Sequence, residues 1–126
     1  MLSSHADDIL TVLALTVFAD KQVKQAEIDS FVQAANRLQL LRDIEPRMSE
    51  ARLLAWFHNN KVKIISKMNS TDFELWYKSC LDRIQNVKDK NALLSIMGQI
   101  SIADAEVHVN ETALIIITAR HWGIKL

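Results

Sequence analysis

Ala19-Asp20-Lys21-Gln22-Val23-Lys24-Gln25-Ala26-Glu27 and Ala103-Asp104-Ala105-Glu106-Val107-His108-Val109-Asn110-Glu111 carry one pattern twice. In each, Ala-Asp is followed by Val three residues after the Asp and by Glu four residues after the Val. An offset of 84 residues superimposes the copies, and the match runs on into the flanks. Leu13, Phe18, Phe31, Val32, Ala35, Leu38 and Leu40 fall on Met97, Ile102, Ile115, Ile116, Ala119, Trp122 and Ile124. An apolar segment leads into each Ala-Asp, and a segment with helical periodicity follows each Glu. Two helix-loop-helix hairpins, over about residues 9–41 and 93–124, therefore bracket a dissimilar middle, and the fold predicted is an all-α helical bundle with pseudo-symmetric hairpins.

Outward from the repeat, the punctuation agrees. The chain has 126 residues with two Gly and one Pro, fewer than the turns of an all-β or alternating α/β fold require. A first helix from about His5 to Ala19 is apolar nearly all round (Ile9, Leu10, Val12, Leu13, Leu15, Val17, Phe18), which predicts a central position. Ser4 and Asp7 suggest a capping-box variant, and the acids of the first turn suit the helix dipole. A second helix from about Gln25 to Leu41 has the stripe Ile28, Phe31, Val32, Ala35, Leu38. Beyond Pro46, Met48 to about Met68 reads as helix, with His58-Asn59-Asn60 as a candidate interruption. Thr71-Asp72-Phe73-Glu74 reads as a capping box, followed by the stripe Phe73, Trp76, Tyr77, Cys80, Leu81, Ile84. Asp89 is a candidate N-cap for a helix carrying Leu93, Leu94, Ile96, Met97 and Ile100. The last helix, about Asn110 to Trp122, contains Leu114-Ile115-Ile116-Ile117 and is expected to be buried on most sides or to bury one side in a homodimer.

Composition narrows the function. Lys plus Arg and Asp plus Glu are 15 each, so there is no basic field to hold nucleic acid. A chain of this length fits one domain, residues 1–126, with a core that needs no disulfide or structural metal. Cys80 is the only cysteine; it excludes an intrachain disulfide, agrees with a reducing, cytoplasmic setting, and is expected to be a small buried hydrophobe. The opening Met1 to Asp8 lacks the positive region of a signal peptide. The longest mostly apolar stretch, Ile9 to Ala19, would span about 16 Å as a helix against a hydrocarbon core of about 30 Å, so no transmembrane segment is expected.

The duplicated motif resembles the Ala-Asp-Gly-x-Val-x-x-x-Glu signature of the TerB-like, tellurite-resistance family, and the ending Trp122-Gly123-Ile124 resembles that family's leucine-glycine-aliphatic close. One departure stands out: Lys21 and Ala105 occupy the places where the family usually has Gly, so each loop either does without a left-handed residue or holds one under strain. The resemblance implies an all-helical domain of tellurite-resistance and stress-associated proteins, without a defined activity.

The repeated acids allow two expectations. With helices capped at Lys24 and His108, Glu27 and Glu111 take the third helical position and close their own loops, with Lys21, Lys24 or Arg120 as countercharge. Alternatively, packing of the hairpins brings Asp20, Glu27, Asp104 and Glu111 together as an all-oxygen site for Ca²⁺ or Mg²⁺. Loop closure is the expectation, and the cation site its alternative.

Other chemistries lack their residues. No histidine belongs to a Glu-x-x-His or His-Glu-x-x-His motif, so His5, His58, His108 and His121 are expected at the surface or its boundary. There is no Gly-rich phosphate loop. Trp56-Phe57 with Lys61, Lys63 and Lys67 mixes aromatics and base, but the aromatics fit a core stripe with Leu53 and Leu54, and the lysines a solvated face. The function expected is a non-enzymatic module that binds protein partners in a stress response, the alternative being a cation-responsive domain built on the acidic loops.

Overall fold

The structure, a computed structural model, describes residues 4–18, 25–84, 90–101 and 109–124, apart from the side chains of residues 4, 17–18, 26–27, 30, 39–40, 99–101 and 109–113. Seven helices follow in order: α1 (Ser4–Phe18), α2 (Gln25–Arg37), α3 (Gln39–Ile44), α4 (Glu50–Met68), α5 (Phe73–Arg83), α6 (Lys90–Ser101) and α7 (Val109–His121), with no strand among the described residues. α1 packs against α2 and α6 against α7, and α6 also lies against both α1 and α2.

α1 is the hub. It packs against each of the other six helices, and Ala6, Ile9, Leu10, Val12, Leu13, Ala14 and Leu15 are all fully buried. A helix surrounded in this way can afford no unpaired polar atom. Thr11 and Thr16, both buried, donate back to the carbonyls of Asp7 (2.7 Å) and Val12 (3.1 Å). The first-turn acids make tertiary bonds: Asp7 Oδ1 accepts from Trp56 Nε1 at 2.9 Å, and Asp8 accepts from Arg83 Nε at 2.9 Å and Nη2 at 3.0 Å. These bonds join α1 to α4 and to α5.

Two aromatic groups complete the core. Phe31 of α2 meets Phe57 and Trp56 of α4 with ring centroids 5.3 and 6.1 Å apart, so Trp56 and Phe57 belong to the core, as their spacing predicts. Phe73 stacks on Tyr77 at 5.9 Å within α5. Cys80, on the same stripe, is buried, and burial pushes its thiol above its ordinary range.

Three boundaries differ from the sequence reading. The segment expected as one helix from Gln25 to Leu41 divides at Leu38, whose ψ of 105° is extended; Arg42 Nε then donates to the Asn36 carbonyl at 2.6 Å across the break. α4 runs unbroken through His58-Asn59-Asn60, because Asn60 Nδ2 donates to the Trp56 carbonyl at 2.8 Å and leaves the helical ladder intact. At the start of α5 the N-cap residue is Asp72, one place after Thr71, and it makes no side-chain cap bond. Its carboxylate instead accepts from the Ser70 hydroxyl, which holds the Asp72 carboxyl below its ordinary range. The expected caps at Lys24, Asp89 and His108, and the side chain of Ser4, lie outside the described residues.

α7 ends in a Schellman motif: Ile124 N donates to the Ala119 carbonyl at 2.8 Å and Gly123 N to the Arg120 carbonyl at 3.1 Å. Gly123 has φ +69°, which suits the one residue without a Cβ. Ile124 beyond it packs on the core. Within α7, Leu114 is buried whereas Ile115, Ile116 and Ile117 are half-buried. No described helix is long and apolar enough to cross a membrane.

Candidate functional site

The sequence directs attention first to the acidic loops. α2 opens at Gln25 and α7 at Val109, so Glu27 and Glu111 each stand third in their helices, in the register the repeat gives them. Their side chains, with Asp20 and Asp104 entirely, lie outside the described residues. Among the described residues, no three His, Cys, Asp or Glu side chains gather to hold a metal ion. His5 and His58 are exposed and His121 is half-buried; His108 lies outside the described residues.

The described surface offers a different concavity, an open cleft of about 430 Å³ between α5 and α7, lined by Glu74, Lys78, Ile117, Arg120 and His121. Its walls are held in place from below. The Tyr77 hydroxyl is hydrogen-bonded to Thr118 Oγ1, and Thr118 is buried with its Oγ1 also on the Leu114 carbonyl at 2.9 Å. Trp122 Nε1 donates to the Leu81 carbonyl at 3.3 Å. At one side His121 Nε2 lies 2.7 Å from Asp82 Oδ1. These bonds fix α7 on α5 by an apolar core contact with polar pins, so the cleft is preformed.

Its chemistry is of mixed sign. Glu74 and Lys78 pair at 3.2 Å one helical turn apart on α5, an exposed contact that is easily exchanged. Ile117 is the apolar member of the lining, and the exposed Arg120 makes no ion pair among the described residues. A guanidinium beside an apolar side chain suits a carboxylate or carbonyl carried on a larger apolar body, as in a peptide segment. Arg120, one of the candidate countercharges for the acidic loops, lines this cleft; the loop carboxylates themselves lie outside the described residues.

Two further polar links escaped the sequence reading. The Asp8–Arg83 pair spans 75 residues and the Asp82–His121 contact spans 39, and no local spacing announces either. The only local signals were the Glu74–Lys78 step of four and the basic last turn of α7, Arg120 and His121.

The family model described as Tellurite resistance protein TerB matches residues 6–125. Neither a curated protein nor a solved structure matches the chain. The match takes in both copies of the Ala-Asp motif, the intervening helices and the glycine-closed end of α7, and the chain belongs to the TerB tellurite-resistance family.

Proposed function

We propose that this TerB chain acts as one helical domain in the cytoplasm, as a non-enzymatic interaction module of a tellurite or stress response, and that a protein segment binds in the α5–α7 cleft. The observation that supports this is the cleft itself, with the apolar Ile117 in its lining and Arg120 without an ion partner among the described residues. The reading calls for recognition and release, with no covalent step. A photo-crosslinking residue at Lys78 tests it in cells exposed to tellurite. The expected result is a discrete protein adduct that disappears with Ile117→Glu and does not form from the same residue at Arg47, which is exposed on the segment before α4. An adduct pattern indifferent to Ile117→Glu overturns the reading.

A second reading rests on the repeat itself, which sets an Asp and a Glu seven residues apart in both copies of the motif. In it Asp20, Glu27, Asp104 and Glu111 bind Ca²⁺ or Mg²⁺ and couple the ion to hairpin packing. An ion bound to the native state raises the unfolding midpoint. Thermal unfolding after EDTA, then with each ion, should show a rise that Asp20→Asn/Asp104→Asn abolishes. Identical midpoints throughout exclude this second reading.

A further inference from the structure

Among the described residues, the two large apolar side chains that stand farthest into solvent are Val62 of α4, 80 % exposed, and Leu75 of α5, 73 % exposed. Neither lines the α5–α7 cleft. Their surroundings carry opposite charge. From Ala51 to Thr71 the chain holds Arg52, Lys61, Lys63 and Lys67 and no Asp or Glu. At about 100° per residue, Lys61 and Lys63 flank Val62 on its two sides, and both are exposed. His58 lies one turn away on the same face, also exposed, and Ile65 is exposed beside it.

Around Leu75 the balance reverses. Asp72, one turn before it, and Asp82, two turns after it, share its face, and both are exposed. Lys78, one turn after Leu75, also lies on this face and is paired with Glu74 at its edge, and Asp82 has His121. The segment from Asp72 to Asp82 thus has three acids against one lysine. An exposed apolar residue with a basic surround lies on one helix, and one with an acidic surround on the next, and α4 and α5 pack against each other.

We infer that these faces are the two halves of a self-complementary interface, and that a second copy of this chain covers them. In a twofold arrangement the α4 face of each protomer meets the α5 face of its partner, so the Val62–Leu75 contact is made twice and every basic face finds an acidic one. The zero formal charge of the chain leaves no net repulsion to oppose association. Nucleic acid fits the basic face less well, because the aromatic rings that would stack on bases, Trp56 and Phe57, are in the core. The patch covers about three turns of each helix, at the small end of protein interfaces, so the dimer is a weak one that forms at high protein concentration.

This surface adjoins the cleft at Glu74 and Lys78, but the residues that test it lie outside the cleft lining, so the inference stands or falls separately from the proposed function. Sedimentation equilibrium over a wide concentration range tests it with two charge-reversed proteins, Lys61→Glu/Lys63→Glu and Asp72→Lys/Ser79→Lys. All four positions are exposed, and unchanged helical circular dichroism and melting temperature establish that each variant is folded. The wild type should dimerise, each variant alone should associate at least about tenfold more weakly, and an equimolar mixture of the two should restore the dimer, because each reversed face then meets its complement. A wild type that stays monomeric overturns the inference. So does a dimer that either variant leaves intact, a mixture that fails to associate, or growth beyond the dimer. Ile117→Glu should leave the dimer unchanged while abolishing the cleft adduct, which keeps the two proposals distinguishable.

Discussion

Arg83→Met is expected to destabilise the protein by about 2–3 kcal/mol, because it leaves a carboxylate stranded in the core. Asp8 is on the hub helix with its side chain 7 % exposed, whereas the Arg83 side chain is 50 % exposed. The fork contact at 2.9 and 3.0 Å is bidentate, and the Asp8 carboxylate pushes the Arg83 guanidinium further above its ordinary range. Two unit charges about 4 Å apart attract by about 4 kcal/mol at an effective dielectric of about 20. Water reaches half of Arg83, and ordering its side chain costs entropy, so we discount that figure to about 2–3 kcal/mol. For a chain of this length, between the size classes with known slopes, each kcal/mol moves the melting temperature by about 4 °C, which gives a fall of about 8–12 °C. Asp8→Asn keeps an acceptor and should cost less. The double variant Asp8→Asn/Arg83→Met should cost less than the sum of the singles, with a coupling of about 1.5 kcal/mol or more. Urea unfolding of the four proteins at neutral pH measures the cycle. An Arg83→Met protein within about 0.5 kcal/mol of wild type, or an additive cycle, would refute the argument that α1 depends on this clamp.

Three other outcomes follow from single side chains. Tyr77 is the only tyrosine, and burial raises its phenol above the ordinary range. The folded state therefore holds the proton where the unfolded state releases it, and the stability it contributes, complete below about pH 10, declines as pH rises beyond that. Tyrosinate absorbance should appear together with unfolding, and a reversible titration near pH 10 in the folded protein would contradict the buried placement. Gly123→Ala forces a Cβ into a left-handed backbone and should lower stability by about 1 kcal/mol in urea unfolding; no loss would show that the end of α7 takes another form. Cys80, buried with its thiol pushed up, should react with a thiol reagent only as fast as the protein opens, so a rapid reaction in the native state would place it elsewhere.

The repeat and the hub were legible because they are written in local periodicity: a helix apolar on every side must be surrounded, and α1 is. The stripe from Phe73 to Ile84 likewise announces α5. The break at Leu38 was not legible, since no Gly or Pro marks it and the apolar spacing Ala35, Leu38, Leu41 continues through it while all three stay buried. Thr71 misled for a related reason: a capping-box spelling says nothing about a nearby Ser70 hydroxyl that ties up the following Asp72. Asp7 and Asp8 read as dipole partners because Trp56 and Arg83 are remote in sequence. The cleft was hidden in the same way, since Lys78 and Arg120 acquire a shared surface only when Tyr77 and Thr118 bring α5 and α7 together.

The proposed function has this family member bind a protein segment between α5 and α7. The measurement that tests this most directly is tellurite tolerance in cells that depend on the protein, with the wild type replaced at equal cellular level by Ile117→Glu/Arg120→Glu or by Asp20→Asn/Asp104→Asn. Loss of tolerance with the cleft variant, at an unchanged melting temperature, is the result predicted; full tolerance with that variant, and loss only with the acidic-loop variant, would contradict the account and turn the assignment to the cation-responsive reading.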